Sequence, residues 1–343
     1  MNLNEVYYRR TVSAVGFALL IWLALFEIFG AFVSFFLPLV LANIPSQYQL
    51  VADLIYWSVY IVGDVVCFLL PVLFLRLFIR KAGYSYQTMY AETRISRWLP
   101  FMICACIAIS YSAAYISDVL MNWIGYSTSV FSTASADPKP YELVLEFISI
   151  CIIPGFCEEF LFRGAILSNL LPFGRGKAIF ISALLFSIMH RNASQIFYTF
   201  IAGIFLGIVY ERTRSIWNCI LIHIANNFLS FTQSVVLIRI HDQALAVTYT
   251  GVIELLVISL GVLSTVILAR GFFVKRKELL QNGFFGRRLS ACDEYADHPI
   301  SGERARKLFM TPSMIVFLSL CVTEIVGLLL IVILGGKWLE FFG

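Results

Sequence analysis

The stretch that decides the fold class runs from Thr11 to Ala42 and reads TVSAVGFALLIWLALFEIFGAFVSFFLPLVLA. Glu27 is the only charged residue within it. A helix needs about 20 mostly apolar residues to cross a bilayer, whereas the apolar part of a signal peptide has only about 7–15. The stretch therefore predicts a retained transmembrane helix close to the N-terminus.

Apolar runs of this kind recur along the whole chain. Apolar residues make up 60% of the 343 residues and charged residues 13%, about half the share of roughly 25% in soluble domains. So few charges could not cover the surface of a soluble globule of this size. The composition predicts an all-α, polytopic bundle of transmembrane helices.

Nine apolar segments are visible, which predicts about eight or nine spans. They lie at about 11–42, 50–79, 98–121, 141–170, 178–190, 195–210, 215–238, 245–272 and 312–335. The fifth and sixth are short for full spans. We divide the chain into N-terminal transmembrane helices (1–140), a transmembrane core (141–238), and C-terminal helices (239–343) that carry a basic loop at about 273–311.

Basic residues predict the orientation in the membrane. If the N-terminus is cytoplasmic, most of the 25 Lys and Arg residues fall in flanks and loops on the cytoplasmic side. The opposite flanks hold only Lys139, Arg191, Arg239 and Lys337, and Arg163 lies within a segment. Because cytoplasmic loops are enriched in Lys and Arg, we predict a multi-pass protein of the cell membrane with its N-terminus in the cytoplasm and its C-terminus outside.

Four carboxylates stand alone in separate apolar segments. They are Glu27, Asp64, Glu254 and Glu324. Ionisable groups inside a bilayer are costly, so each is a candidate functional residue. Either these groups are hydrogen-bonded or protonated inside the bundle, or they form a proton relay, as in a proton-coupled transporter.

A denser set of polar residues lies on three neighbouring segments. These residues are Glu158, Glu159, Arg163, His190, His223 and Asn227. At 1.5 Å per residue, counting from the predicted cytoplasmic helix ends places Glu158 at roughly 18 Å, His190 at 20 Å, His223 at 12 Å and Asn227 at 18 Å. In a hydrocarbon core of about 30 Å these depths predict a site near the bilayer midplane.

Spacing within each segment suggests roles. Glu159 and Arg163 are separated by four residues, so they share a helix face and are expected to form an ion pair. Glu158 points about 100° away and remains free to act as a general base. His223 and Asn227, also four residues apart, could form an oxyanion hole, with His190 orienting a water molecule. This arrangement favours hydrolysis of a peptide carbonyl by activated water.

Other interpretations of the same residues remain open. His223 and Asn227 could be hydrogen-bonding residues that join helices. One glutamate with His190 and His223 could bind zinc, although the sequence contains no HExxH motif. A serine hydrolase is disfavoured because no GxSxG nucleophile motif is present.

Three motifs resemble those of the CAAX protease and bacteriocin-processing (CPBP, or Abi) family of intramembrane proteases. The family motifs EExxxR, FxxxH and HxxxN correspond to Glu158-Glu159-x-x-x-Arg163, Phe186-x-x-x-His190 and His223-x-x-x-Asn227. In addition, Gly203 and Gly207 are spaced for close helix packing.

The resemblance implies a glutamate-dependent intramembrane endopeptidase that needs no cofactor. Glu158 would be the base, His190 its water-holding partner, and His223 and Asn227 the oxyanion hole, with Glu159 and Arg163 in support. The expected partners are a peptide or membrane-protein substrate and the lipid bilayer, not nucleic acid. The family also includes bacteriocin-immunity and scaffold proteins, so a non-catalytic membrane protein is the alternative, and a transporter is a third.

Overall fold

The computed structural model describes residues 3–81, 94–124, 138–274 and 302–342, and every regular element within these ranges is helical. The α-helices are α1 (Leu3–Ala31), α2 (Leu37–Leu41), α3 (Gln49–Lys81), α4 (Leu99–Trp123), α5 (Pro140–Phe147), α6 (Ile153–Glu159), α7 (Ser168–Leu170), α8 (Arg175–Met189), α9 (Ala193–Thr213), α10 (Ile216–Arg239), α11 (Gln243–Val274), α12 (Gly302–Phe309) and α13 (Pro312–Phe342). The predicted all-α, polytopic bundle is confirmed.

Within the described ranges, seven helical stretches are long and apolar enough to cross a membrane. They are Asn4–Leu41, Ser46–Ile79, Leu99–Trp123, Ala193–Thr213, Ile216–Arg239, Gln243–Arg270 and Pro312–Val332. The sixth predicted segment was expected to be short, but its helix has 21 residues because it continues through polar residues at both ends. The fifth is short: α8 has 15 residues, which span about 22 Å against a hydrocarbon core of about 30 Å.

The fourth predicted segment is helical but irregular. Two π-helical stretches, Ile148–Ile152 and Phe160–Leu167, flank α6. Residues 161–167 are all buried, and Arg163 is the largest fully buried side chain among the described residues. This segment therefore lies at the centre of the bundle, with a charged residue in its core.

Glycines allow the helices around this segment to approach closely. A Cβ atom at Gly203 would lie 3.1 Å from the Cα and Cβ atoms of Ala183, and one at Gly207 would lie 3.0 Å from Ile179. The predicted close packing at these two glycines is therefore present, between α9 and α8. At Gly261, on α11, an added Cβ would overlap Ala108 on α4.

Part of the predicted basic loop at 273–311 is a short amphipathic helix. In α12, Ala305 and Leu308 are buried, whereas Lys307 is exposed. Arg304 Nε donates a hydrogen bond of 2.9 Å to Glu5 on α1, and this contact raises the pKa of the guanidinium. Residues 275–301 of the loop lie outside the described residues. The end of the loop is thus attached to the beginning of α1.

Candidate active site

The two adjacent glutamates, Glu158 and Glu159, are the last residues of α6 and have different surroundings. The side chain of Glu159 is completely buried, whereas that of Glu158 is 14% exposed and lines a large cavity. The helix changes to π geometry directly after Glu159. Local π-helical turns are frequent at functional sites because they alter the direction of side chains within a helix. The different directions that the sequence predicted for the two side chains are present.

Glu159 is the centre of a buried cluster of charged groups. Its Oε1 atom accepts hydrogen bonds of 2.8 Å from Arg163 and 2.8 Å from Nδ1 of His223. Arg163 also donates a bond of 3.3 Å to the carbonyl of Gly203 and lies 4.5 Å from the centre of the Phe186 ring. The predicted ion pair of Glu159 and Arg163 is therefore present. The cluster joins residues from all three sequence motifs.

Hydrogen bonds set the orientation of both histidine rings. Nδ1 of His223 faces Glu159, so Nε2 faces Glu158, whose Oε2 lies 3.9 Å away. Nδ1 of His190 lies 2.8 Å from the carbonyl of Phe186. A carbonyl can only accept a hydrogen bond, so this Nδ1 carries a proton and Nε2 of a neutral His190 ring has a free lone pair. Each ring is fixed at Nδ1.

A single cavity contains the predicted catalytic side chains. Its volume is about 1260 Å³, and its walls include Glu158, His190, His223 and Asn227. Glu159 and Arg163 do not line it, because they are buried behind the wall. The residues predicted to act on a substrate thus face open space, whereas the two predicted to support them do not.

Asn227 has a partner that the sequence did not predict. Its side-chain amide donates a hydrogen bond of 3.0 Å to the carbonyl of Ile150, in the π-helical turn before α6. An amide NH₂ has two protons, so one remains for a second acceptor in the cavity. The neighbouring Asn226 also lines the cavity, and its side-chain oxygen is buried without a hydrogen-bond partner in the described part of the chain.

The four carboxylates that stand alone in the sequence are not isolated in the fold. Asp64 and Glu254 line the same cavity as Glu158. Glu27 and Glu324 both form ion pairs with Arg191, and the second of these contacts measures 2.8 Å. The four side chains therefore divide between two places, and the hydrogen bonds of Glu27 and Glu324 with Arg191 agree with the interpretation in which such carboxylates are hydrogen-bonded.

Arg191 is a residue whose role the sequence analysis missed. It directly follows His190 and adopts a left-handed backbone conformation, with φ of 51°. Its guanidinium lies 5.9 Å from the ring of Trp22 and 4.9 Å from that of Phe26. The sequence did contain a signal for this role. A single arginine lies beside a motif histidine, and carboxylates on other helices have no basic residue near them in the sequence.

A metal site was the other chemical interpretation of these residues. Among the residues that the structure describes, no group of three or more His, Cys, Asp and Glu side chains has the arrangement to hold a metal ion. Nδ1 of each histidine ring is hydrogen-bonded, to Glu159 in His223 and to a backbone carbonyl in His190, and histidines that bind metal ions through Nε2 make such hydrogen bonds too.

These features define a multi-pass helical membrane protein in which a buried Glu–Arg–His cluster supports the wall of a polar cavity. Residues 140–229 match the family of type II CAAX prenyl endopeptidases described as Rce1-like. The match covers about a quarter of the chain and contains all three motifs, in agreement with the resemblance predicted from them. The family implies a protease with a peptide substrate.

No curated protein matches the chain. No solved structure matches it either.

Proposed function

We propose that this protein is a glutamate-dependent intramembrane endopeptidase in which Glu158 activates the water that attacks a peptide carbonyl. One observation carries the proposal. Glu158, His190, His223 and Asn227 all line one cavity, while the ion pair of the neighbouring Glu159 is buried behind it. Polar contacts that only join helices would not require the Glu158 side chain to face the cavity.

The reaction begins with the water molecule. Nε2 of His190 accepts a hydrogen bond from the water, because Nδ1 is already committed to the carbonyl of Phe186. Glu158 takes the proton of the water as its oxygen attacks the carbonyl carbon. The resulting tetrahedral oxyanion accepts the second amide proton of Asn227 and, when the His223 ring carries both protons, its Nε2–H. Donors placed where negative charge develops supply much of the stabilisation in such sites.

The second half of the reaction returns Glu158 to its starting state. The carbon–nitrogen bond breaks, and the proton held by Glu158 passes to the leaving amine. The products are a carboxylic acid and an amine, so atoms and charges balance without a cofactor.

Water activation by this route assigns no step to a metal ion, and cleavage should therefore survive treatment with strong chelators. Loss on chelation that is restored by zinc would assign the chemistry to a metal site.

The experiment uses the full-length protein in lipid vesicles with two sets of peptides. One set is apolar and unmodified, and the other carries a prenylated C-terminal CAAX sequence. General-base catalysis contributes about 10²–10⁴-fold, so Glu158→Gln should reduce the rate by about that factor. Glu146→Gln is the matched control, since Glu146 is a half-buried glutamate on α5 that does not line the cavity. Equal cleavage by the wild type and Glu158→Gln would refute the mechanism.

The proposed orientation places the N-terminus in the cytoplasm and the C-terminus outside. Lys139 and Arg304 lie in described flanks on opposite predicted sides, and their side chains are 52% and 48% exposed. Cys292 is the one cysteine of the sequence that lies outside the apolar segments. In a variant without it, a cysteine at 139 should react with an impermeant thiol reagent added to intact cells. A cysteine at 304 should not. Labelling of both positions would contradict the orientation.

A further inference from the structure

Helix α10 presents a row of polar side chains to the cavity. These cavity-lining residues are His223, Asn226, Asn227, Ser230 and Gln233. From His223 to Gln233 the helix rises about 15 Å, at 1.5 Å per residue. The row begins beside the candidate base Glu158 and leads away from it along the cavity wall.

The row ends at a carboxylate held in place by a directed hydrogen-bond network. Nε2 of Gln233 donates a bond of 2.9 Å to Oε1 of Glu254, on α11. The Tyr111 hydroxyl, on α4, donates a bond of 2.8 Å to Oε1 of Gln233. The hydroxyls of Tyr111 and Ser230 lie 3.1 Å apart, and Ser230 is the donor because Tyr111 has already used its proton.

The network leaves Glu254 with accepting capacity toward the cavity. Gln233 occupies one site on Oε1, and a carboxylate offers about four acceptor positions. Three helices fix the direction of this carboxylate, since Tyr111, Gln233 and Glu254 belong to α4, α10 and α11. A carboxylate held in this way can accept a hydrogen bond from a donor group of a ligand.

The charges of the cavity wall favour a cationic ligand. Its ionisable acids are Asp64, Asp118, Glu158 and Glu254, and the described residues that line it include neither Lys nor Arg. A cleft lined by charges of one sign raises the local concentration of ligands of the opposite sign. At the Glu254 end of the polar row, about 15 Å from His223, a positively charged side chain of a peptide would meet a carboxylate and neither Lys nor Arg.

We propose that Glu254 forms a specificity subsite that binds a Lys or Arg side chain of the substrate. Resting on the proposed function, this inference places the scissile carbonyl beside Glu158 and His223. An extended peptide advances about 3.3 Å per residue. The length of the polar row, about 15 Å, then places the basic residue four to five positions from the scissile bond, on one side of it. The row of Asn226, Asn227 and Ser230 supplies hydrogen-bonding groups along the intervening backbone.

The test measures binding and cleavage separately with a lysine scan. A series of otherwise identical apolar peptides is made with a single lysine at each successive position, and the lysine positions are counted from the bond that the wild-type protein cleaves. Binding of fluorescent versions is measured in vesicles with the Glu158→Gln variant, and kcat/KM is measured with the wild type. Lysine four to five residues away on one side should strengthen binding about tenfold, which corresponds to about 1.4 kcal/mol.

Two substitutions assign the preference to Glu254. Glu254→Gln, made alone and in the Glu158→Gln background, should abolish the peak of the scan and leave cleavage of the lysine-free peptide detectable. Glu254→Lys should favour a glutamate at the same position. Since a buried lysine can prevent folding, Glu254→Gln carries the test. Glu146→Gln is the control that should retain the peak.

The outcomes separate the subsite from the proposed function. A flat scan in cleavage and binding, or a peak that persists in Glu254→Gln, overturns the subsite while the endopeptidase stands. A peak in binding that depends on Glu254, with no cleavage by the wild type, supports the subsite and overturns the endopeptidase. A lack of both binding and cleavage for every peptide overturns both.

Discussion

Removing the charge of Glu159 should destabilise the protein far more than removing that of its neighbour Glu158. In the variant Glu159→Gln, the guanidinium of Arg163 stays in the core without its carboxylate. Both side chains are almost completely inaccessible, with exposures of 0% for Glu159 and 1% for Arg163. Loss of one partner from a buried ion pair costs about 3–5 kcal/mol, because the remaining charge is left uncompensated. The free energy of unfolding should fall by about this amount.

The neighbouring substitution provides an internal control. Oε2 of Glu158 is buried without a hydrogen-bond partner in the described part of the chain. Nε2 of His223 lies 3.9 Å from this oxygen, too far for a hydrogen bond, so Glu158→Gln should change the free energy of unfolding by about 1 kcal/mol or less. The two variants exchange the same chemical groups at adjacent positions, so the difference between them reports the environment alone.

A double-mutant cycle tests whether the loss comes from the pair. Arg163→Met alone should also destabilise by about 3–5 kcal/mol, whereas Glu159→Gln combined with Arg163→Met should cost less than the sum of the two single changes. Unfolding is followed in detergent micelles by circular dichroism during denaturant titration. If Glu159→Gln unfolds like Glu158→Gln, or if the two single effects simply add, the reasoning about a buried pair is refuted.

Two further predictions concern the surroundings of the site. Arg191→Gly should lower kcat by about tenfold or more, because misplacing a catalytic group by about 1 Å can cost 10²-fold. The control Arg214→Gly, at the other left-handed arginine, should leave kcat unchanged. Equal effects of the two changes on cleavage rates would refute a role for Arg191 in placing His190. Gly203→Leu should destabilise the protein by about 1–3 kcal/mol through overpacking, because an added Cβ would lie 3.1 Å from α8. Gly251→Leu should not destabilise it, because nothing lies within 4 Å of an added Cβ there. Denaturant titration of both variants measures the difference.

Sequence patterns predicted the helices well because the bilayer sets a simple requirement. Long apolar runs must become helices to satisfy their backbone groups, and the seven span-length helices of the described ranges follow such runs. The pairing of Glu159 with Arg163 was also predictable, because a spacing of four residues brings side chains together on any helix. These predictions depend on local geometry alone.

Contacts between distant segments were not predictable in the same way. His223 reaches Glu159 across 64 positions of the sequence, and the amide of Asn227 reaches the carbonyl of Ile150 across 77. Both contacts depend on how α10 packs against the fourth segment. The π-helical stretch Phe160–Leu167 also has no recognisable signature in its sequence, FLFRGAIL. Depth counting placed these residues at a similar level in the membrane, but it did not identify their hydrogen-bond partners, which only the folded structure shows.

Arg191 shows how helices outside the family match support the site. The match covers residues 140–229, whereas the two carboxylates that bind Arg191 belong to α1 and α13. A left-handed conformation costs a non-glycine residue about 1–2 kcal/mol, and these ion pairs with the nearby aromatic rings of α1 offset that cost. Because His190 is the preceding residue, the same contacts hold the end of α8 in place. The terminal helices therefore help to set the position of a residue in the candidate active site.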